Sequence, residues 1–192
     1  MEQALRDLLA ELEALGRDND AREQDRRKKM LNLEPETAHF ISLLIRSGKR
    51  KHILEVGTSN GYSTIWLAWS VGENGQIISI ERESDKQVQA DQNLRRAGLR
   101  DRVDLRLGDA TEVIEGLQDT FDVVFFDADR ISAHRQLEIL LPRLQPGTLV
   151  LADNALSHPE ESASYLATIE HMPEFDHMVV PVGKGLSIAY RN

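Results

Sequence analysis

The sequence predicts an α/β fold: a Rossmann-like, doubly wound, mostly parallel seven-stranded sheet that ends in an antiparallel hairpin. Three observations lead there. From Lys51 onward, short apolar runs alternate regularly with helical patterns. The runs are mostly β-branched or aliphatic, as in strands covered on both faces. Each of the first five ends in small or acidic residues, which gathers polar chemistry along one rim of the sheet.

Taken in order, Leu5, Leu8, Leu9, Leu12 and Leu15 recur at helical spacing and lead into the charge run Asp18 to Lys29, so residues 1–30 read as a helical arm. Glu34-Pro35-Glu36 makes a favourable first turn for a second helix, which carries Phe40, Ile41, Leu43, Leu44 and Ile45 and closes at Gly48. Strands follow at His52–Val56, Gln76–Ile80, Val103–Leu107, Phe121–Phe126 and Thr148–Ala152. Between them lie helical segments near Tyr62 to Val71, Asp85 to Ala97, Thr111 to Leu117 and Ala133 to Leu144, the order of right-handed crossovers. A helix near Glu160 to Glu170 precedes two runs, His177–Pro181 and Leu186–Tyr190, joined through Val182-Gly183-Lys184-Gly185 as a hairpin.

The chain has 192 residues, 41% hydrophobic and 29% charged, and no Pro/Gly/Ser-rich tract, so one domain over 1–192 is expected. A formal net charge of -9 argues against general nucleic-acid binding, which needs a basic face. There is no cysteine, which removes disulfides, thiolate metal sites and cysteine nucleophiles and is compatible with a reducing cytoplasm. No run approaches the roughly 18 apolar residues of a membrane span, and the start lacks a secretory pattern. A cytoplasmic protein without a membrane partner is therefore expected.

The residues at the strand ends carry the functional reading. The first strand runs into Gly57-Thr58-Ser59-Asn60-Gly61, whose glycines would let backbone N–H groups approach a ligand. Two glycines alone are equally a plain tight turn. Glu81, at the end of the next strand, stands where an acid binds the two hydroxyls of a ribose. Glu55 lies inside the first strand end and there is no third glycine; a carboxylate there repels a pyrophosphate and suits a cation such as a sulfonium or amino group.

The string Ile53-Leu54-Glu55-Val56-Gly57-Thr58-Ser59-Asn60-Gly61-Tyr62-Ser63-Thr64 resembles the first motif of the catechol and caffeoyl-CoA O-methyltransferase family. The likeness continues through Gly108-Asp109-Ala110, Phe121 to Asp129 and Leu151-Ala152-Asp153-Asn154, and spans about residues 30 to 192. It implies S-adenosylmethionine as cofactor, contacted by Leu33, Gly57, Ser63, Glu81, Asp109, Ala110 and Asp129. With them on the cofactor side stand Glu55, Thr58, Gly61 and Asp127. It also implies a methyltransferase fold and a homodimer, for which the leucine-bearing arm would offer a half-exposed surface.

Asp127 and Asp153 follow strands expected to be neighbours, and two anions so placed repel unless a cation lies between them. With the Asn154 carbonyl they would give three hard oxygen ligands for Mg²⁺, with Mn²⁺ or Ca²⁺ as alternatives. The other reading of the spacing is a helix-capping Asp and a solvated loop; in the resembling family these positions hold the catalytic metal. The departures are Arg130 where that family has lysine, and Ala133 and Gln136 where it has tyrosines. Arg130 cannot accept a proton, though it could stabilise a phenolate or simply pair with a nearby acid. His158 is the neutral base nearest the proposed metal, or else an exposed loop histidine; His134 is weaker because it falls inside a helix. Arg26-Arg27-Lys28-Lys29 reads as a solvated face or, less simply, as a contact for an anionic acceptor such as a coenzyme A ester. The implied reaction is metal-assisted O-methylation of a small catechol-like or hydroxycinnamoyl acceptor. The alternatives are metal-independent methyl transfer on the same fold and a catalytically silent cofactor-binding module.

Overall fold

A computed structural model describes residues 1–192. Seven strands form one sheet in the order β3-β2-β1-β4-β5-β7-β6: β1 His52–Val56, β2 Gln76–Glu81, β3 Val103–Leu107, β4 Phe121–Phe126, β5 Leu144–Ala152, β6 Phe175–Val180 and β7 Leu186–Arg191. The first five are parallel, and β7 runs antiparallel between β5 and β6. The chain leaves β1 towards β2 on one side and returns as β4 on the other, so the carboxyl end of β1 is the switch point where an open sheet binds its ligand.

Seven α-helices surround the sheet: α1 Gln3–Arg22, α2 Pro35–Ser47, α3 Tyr62–Ser70, α4 Ser84–Arg96, α5 Ala110–Gly116, α6 Ala133–Leu140 and α7 Pro159–Glu170. Because side chains alternate across a strand, Ile53, Val123 and Phe125 enter one core with α1, α2 and α3, while Leu54, Val124 and Phe126 enter the other with α5, α6 and α7. The final hairpin is as expected, with Val180 opposite Leu186.

Strand β6 begins two residues before the expected run, at Phe175, and three boundaries differ by more. The helical arm stops at Arg22, where Glu23 turns extended, and the segment after it folds back so that the Asp20 carboxylate accepts the N–H groups of Met30 at 2.8 Å and Leu31 at 3.0 Å. Helix α6 gives way at Leu140 to a 3₁₀ turn over Leu141–Arg143, since Pro142 has no N–H to continue it. Strand β5 begins at Leu144, pairing with Phe121, and shifts register before Leu149. The arm is also not half exposed: Leu8, Leu9 and Leu12 are buried in the chain's own core, and only Leu15 stays out.

Candidate active site

The turn after β1 is built by two glycines with left-handed backbone, Gly57 at φ +107° and Gly61 at φ +87°. A Cβ on Gly57 would lie 2.4 Å from the Asp127 carbonyl oxygen, and one on Gly61 would press on Ala90 of α4 at 3.1–3.2 Å. The glycines therefore serve close packing of the turn against β4 and α4. Five of the backbone donors expected to be open are already used. Gly57 and Thr58 donate to the Ile80 carbonyl, Gly61 to Thr58, Ser59 to the Glu81 carboxylate and Tyr62 to the Asn60 side chain. A turn with most of its N–H groups spent internally is a poor cradle for phosphate.

Glu55 departs from expectation in the same way. It is fully buried, and its carboxylate accepts hydroxyl bonds from Ser63 at 2.6 Å and from Thr64 and Ser79 at 2.5 Å each. Glu55 thus spends its carboxylate on three hydroxyls rather than on a cation in the crevice, and Ser63 gives its hydroxyl proton to it. Strand alternation forces this, because position 55 faces α3, where the only partners are hydroxyls. Thr58 likewise bonds Ser79 at 2.6 Å.

Burial pushes the Glu55 pKa up from 4.5 to about 7; the three hydroxyl bonds oppose it and the Glu81 charge adds to it. A raised native-state pKa means that the folded protein holds the proton more tightly. That contribution is complete below pH 4.5 and is lost as the pH rises through 7. Glu55→Gln should therefore remove up to about 3 kcal/mol of stability loss between acid and neutral pH. Urea unfolding of both proteins at pH 5 and pH 8 checks it, and equal losses would contradict it.

Glu81 keeps its expected place. It is 8% exposed at the end of β2, with one oxygen accepting Ser59 N–H at 2.8 Å and the other Arg82 and Glu83 N–H at 2.9 Å each. Three donors for two oxygens leave about one of the four lone pairs free, on the oxygen that accepts only from Ser59. Asp109 caps α5 through Thr111 and Glu112, beside half-buried Ala110, and Asp129 accepts from Ile131 N–H and the Ser132 hydroxyl, so both exposed acids are engaged in local turns. The Leu33 side chain is buried in the core.

On the other side of the rim, Asp127 and Asp153 stand side by side, as Phe126 pairs with Ala152 and Asp153 N–H donates to the Phe126 carbonyl at 3.1 Å. Burial raises both pKa values; Asp153 adds to the shift of Asp127, and Glu34 to that of both. Asp153 is 3% exposed and its Oδ1 has no partner. Two neighbouring carboxylates, one with a buried oxygen that has no partner, fit a hard divalent cation. Asn154 fits less well, since its Oδ1 accepts from Arg130 at 3.2 Å and its amide nitrogen donates to Asp153. No three His, Cys, Asp or Glu side chains converge as a ready ligand set.

Arg130 pairs with Glu161, at 2.9 Å from Nε and 2.5 Å from a terminal nitrogen, as one of its two sequence readings anticipated. Ala133 and Gln136 line a small cavity beside Asp153 with Phe126 and Tyr165. His158 caps α7, its Nδ1 on the Ser157 hydroxyl at 2.9 Å. Sequence reasoning missed Glu34 and Lys184, which form a 2.5 Å ion pair next to the two aspartates. Each was read as part of a helix start or a turn, and no spacing links such residues to strands far along the chain.

The family model for O-methyltransferases matches residues 8–191. A catechol O-methyltransferase from Niastella koreensis is 35% identical over 130 residues, 66% of this chain and 59% of that protein. One from Mycobacterium tuberculosis is 33% identical over 118 residues, 61% of this chain and 54% of that protein. The chain thus spans little more than half the length of these relatives. The crystal structure of an O-methyltransferase from Bacillus cereus in complex with SAH superposes with a TM-score of 0.84 at 25% identity, covering 97% of this chain and 91% of that one. Matched nearly end to end in sequence and architecture, the chain belongs to the O-methyltransferase family.

Proposed function

We propose that the chain acts as one methyltransferase domain over 1–192, with residues 1–30 as its arm. Its reaction is transfer of a methyl group from S-adenosylmethionine to a hydroxyl of a small catechol-like or hydroxycinnamoyl-type acceptor, assisted by a divalent metal, Mg²⁺ before Mn²⁺ or Ca²⁺. The observation that carries this reading is the pair Asp127 and Asp153 at neighbouring strand ends, the second buried with an oxygen that has no partner, across the switch point from Glu81. The names of the relatives support the acceptor class.

When bound, the cofactor would supply an electrophilic methyl, and the metal would lower the pKa of a chelated hydroxyl and orient it. The chain's own residues do the rest. Glu81 would hold the ribose, Asp127 and Asp153 would hold the metal, and Asn154 orients Asp153 through its amide nitrogen. Arg130, fixed by Glu161, remains a cation facing Asn154 and takes no proton. His158, with only Nδ1 engaged, is the proposed base.

Glu81→Ala should weaken S-adenosylmethionine binding at least about tenfold, since charge-assisted bonds contribute roughly 1.5–3 kcal/mol each. Calorimetry checks this, and unchanged affinity would remove Glu81 from the cofactor site. A cytoplasmic location is proposed from the lack of cysteine. A homodimer is proposed from the family resemblance alone, because the arm's leucines are covered by the chain's own core. Sedimentation at micromolar concentration should give twice the chain mass; a monomer would contradict it. The metal-independent alternative keeps one observation in its favour, the lysine beside the two aspartates.

A further inference from the structure

We propose that Lys184 is a tethered cation of the acceptor site, held by Glu34 beside Asp127 and Asp153, and that it sets how tightly the site takes a divalent metal. The inference rests on the metal reading above and concerns residues that the reading does not use.

The backbone fixes where Lys184 goes. The tip of the β6–β7 hairpin is clamped from two sides. Ala155 N–H donates to the Gly185 carbonyl at 2.9 Å, and Leu156 and Ser157 both donate to the Lys184 carbonyl at 3.1 Å, so the tip is stitched to the loop that follows Asp153 and Asn154. On its other side Gly183 packs so closely on the start of α2 that a Cβ there would lie 2.2 Å from the Thr37 hydroxyl and 3.2 Å from Glu34 Oε2. The left-handed φ of +54° at Gly183 and +91° at Gly185 makes the tight tip possible. From it the Lys184 ammonium reaches Glu34 Oε1 at 2.5 Å.

Charge then decides the consequence. Glu34, Asp127 and Asp153 are three anions within one another's fields, and Lys184 stands in the field of all three. Burial opposes the charge on Lys184, yet the Glu34 bond and the neighbouring carboxylates outweigh it and raise its pKa. Arg130 does not share this role, because it is turned to Glu161 and the Asn154 side chain, and the charge that acts on Asp127 and Asp153 is that of Lys184. A divalent ion entering between Asp127 and Asp153 is repelled by the lysine. Part of the carboxylate charge is already answered from within the chain.

The test is Mn²⁺ binding to the full chain, read by electron paramagnetic resonance without cofactor or acceptor, for the parent, Lys184→Gln and Lys184→Arg. Lys184→Gln should bind Mn²⁺ about tenfold more tightly, about 1.4 kcal/mol, and Lys184→Arg should return to the parent value. Adding Asp153→Asn to Lys184→Gln should abolish the gain, which ties the ion to this site. Parent and Lys184→Gln affinities within about twofold, with both lost on Asp153→Asn, would overturn the inference and leave the metal reading standing. A gain that survives Asp153→Asn would overturn it as a surface effect. No Mn²⁺ binding by either protein would overturn the inference and the metal reading together.

Discussion

Asp153→Ala is expected to lower metal-dependent methyl transfer by about a hundredfold or more while leaving S-adenosylmethionine affinity within about twofold. Asp153 sits at the end of β5, two strands across the sheet from β1, whereas Glu81 ends β2 on the other side. Its loss thus falls on the acceptor half of the crevice. The substitution also removes the carboxylate that accepts from Asn154 and leaves Asp127 as the only aspartate there. Turnover of a catechol with Mg²⁺, measured beside calorimetric cofactor affinity, separates the two halves. Equal loss of both would mean that Asp153 holds the architecture rather than the acceptor.

Gly57→Ala should cost about 3 kcal/mol or more of stability. Two penalties combine there. An L-residue at φ +107° is strained, and the new Cβ would meet Asp127 main-chain atoms at 2.4 and 2.9 Å, neither of which can rotate away. Relief requires moving the end of β4, and Asp127 moves with it. Gly98→Ala provides the comparison: φ is +67°, but nothing lies within 4 Å, so only the backbone penalty of about 1 kcal/mol remains. Urea unfolding of the two variants checks the difference, and equal destabilisation would show that the contact with Asp127 does not matter.

The parallel strands and the hairpin were legible in the sequence because strands buried on both faces are short, apolar and bounded by turn residues. The break at Pro142 is a local signal, a residue without an N–H inside a helical pattern, whereas the shifted start of β5 follows from pairing with Phe121 and has no local pattern. At the site, Glu81, Asp127 and Asp153 could be found because strand ends share one rim. The use of Glu55 and the turn N–H groups could not, because hydroxyls and carbonyls from α3 and β2 claim them only once the chain is folded. Glu34 and Lys184 meet only when the hairpin tip docks on α2.

The decisive measurement is transfer of a radiolabelled methyl group from S-adenosylmethionine to catechol by the parent protein, with Mg²⁺ and with excess chelator. Transfer that requires the metal and is restored by adding it back is the predicted result. Equal transfer in chelator would contradict the role given to Asp127 and Asp153.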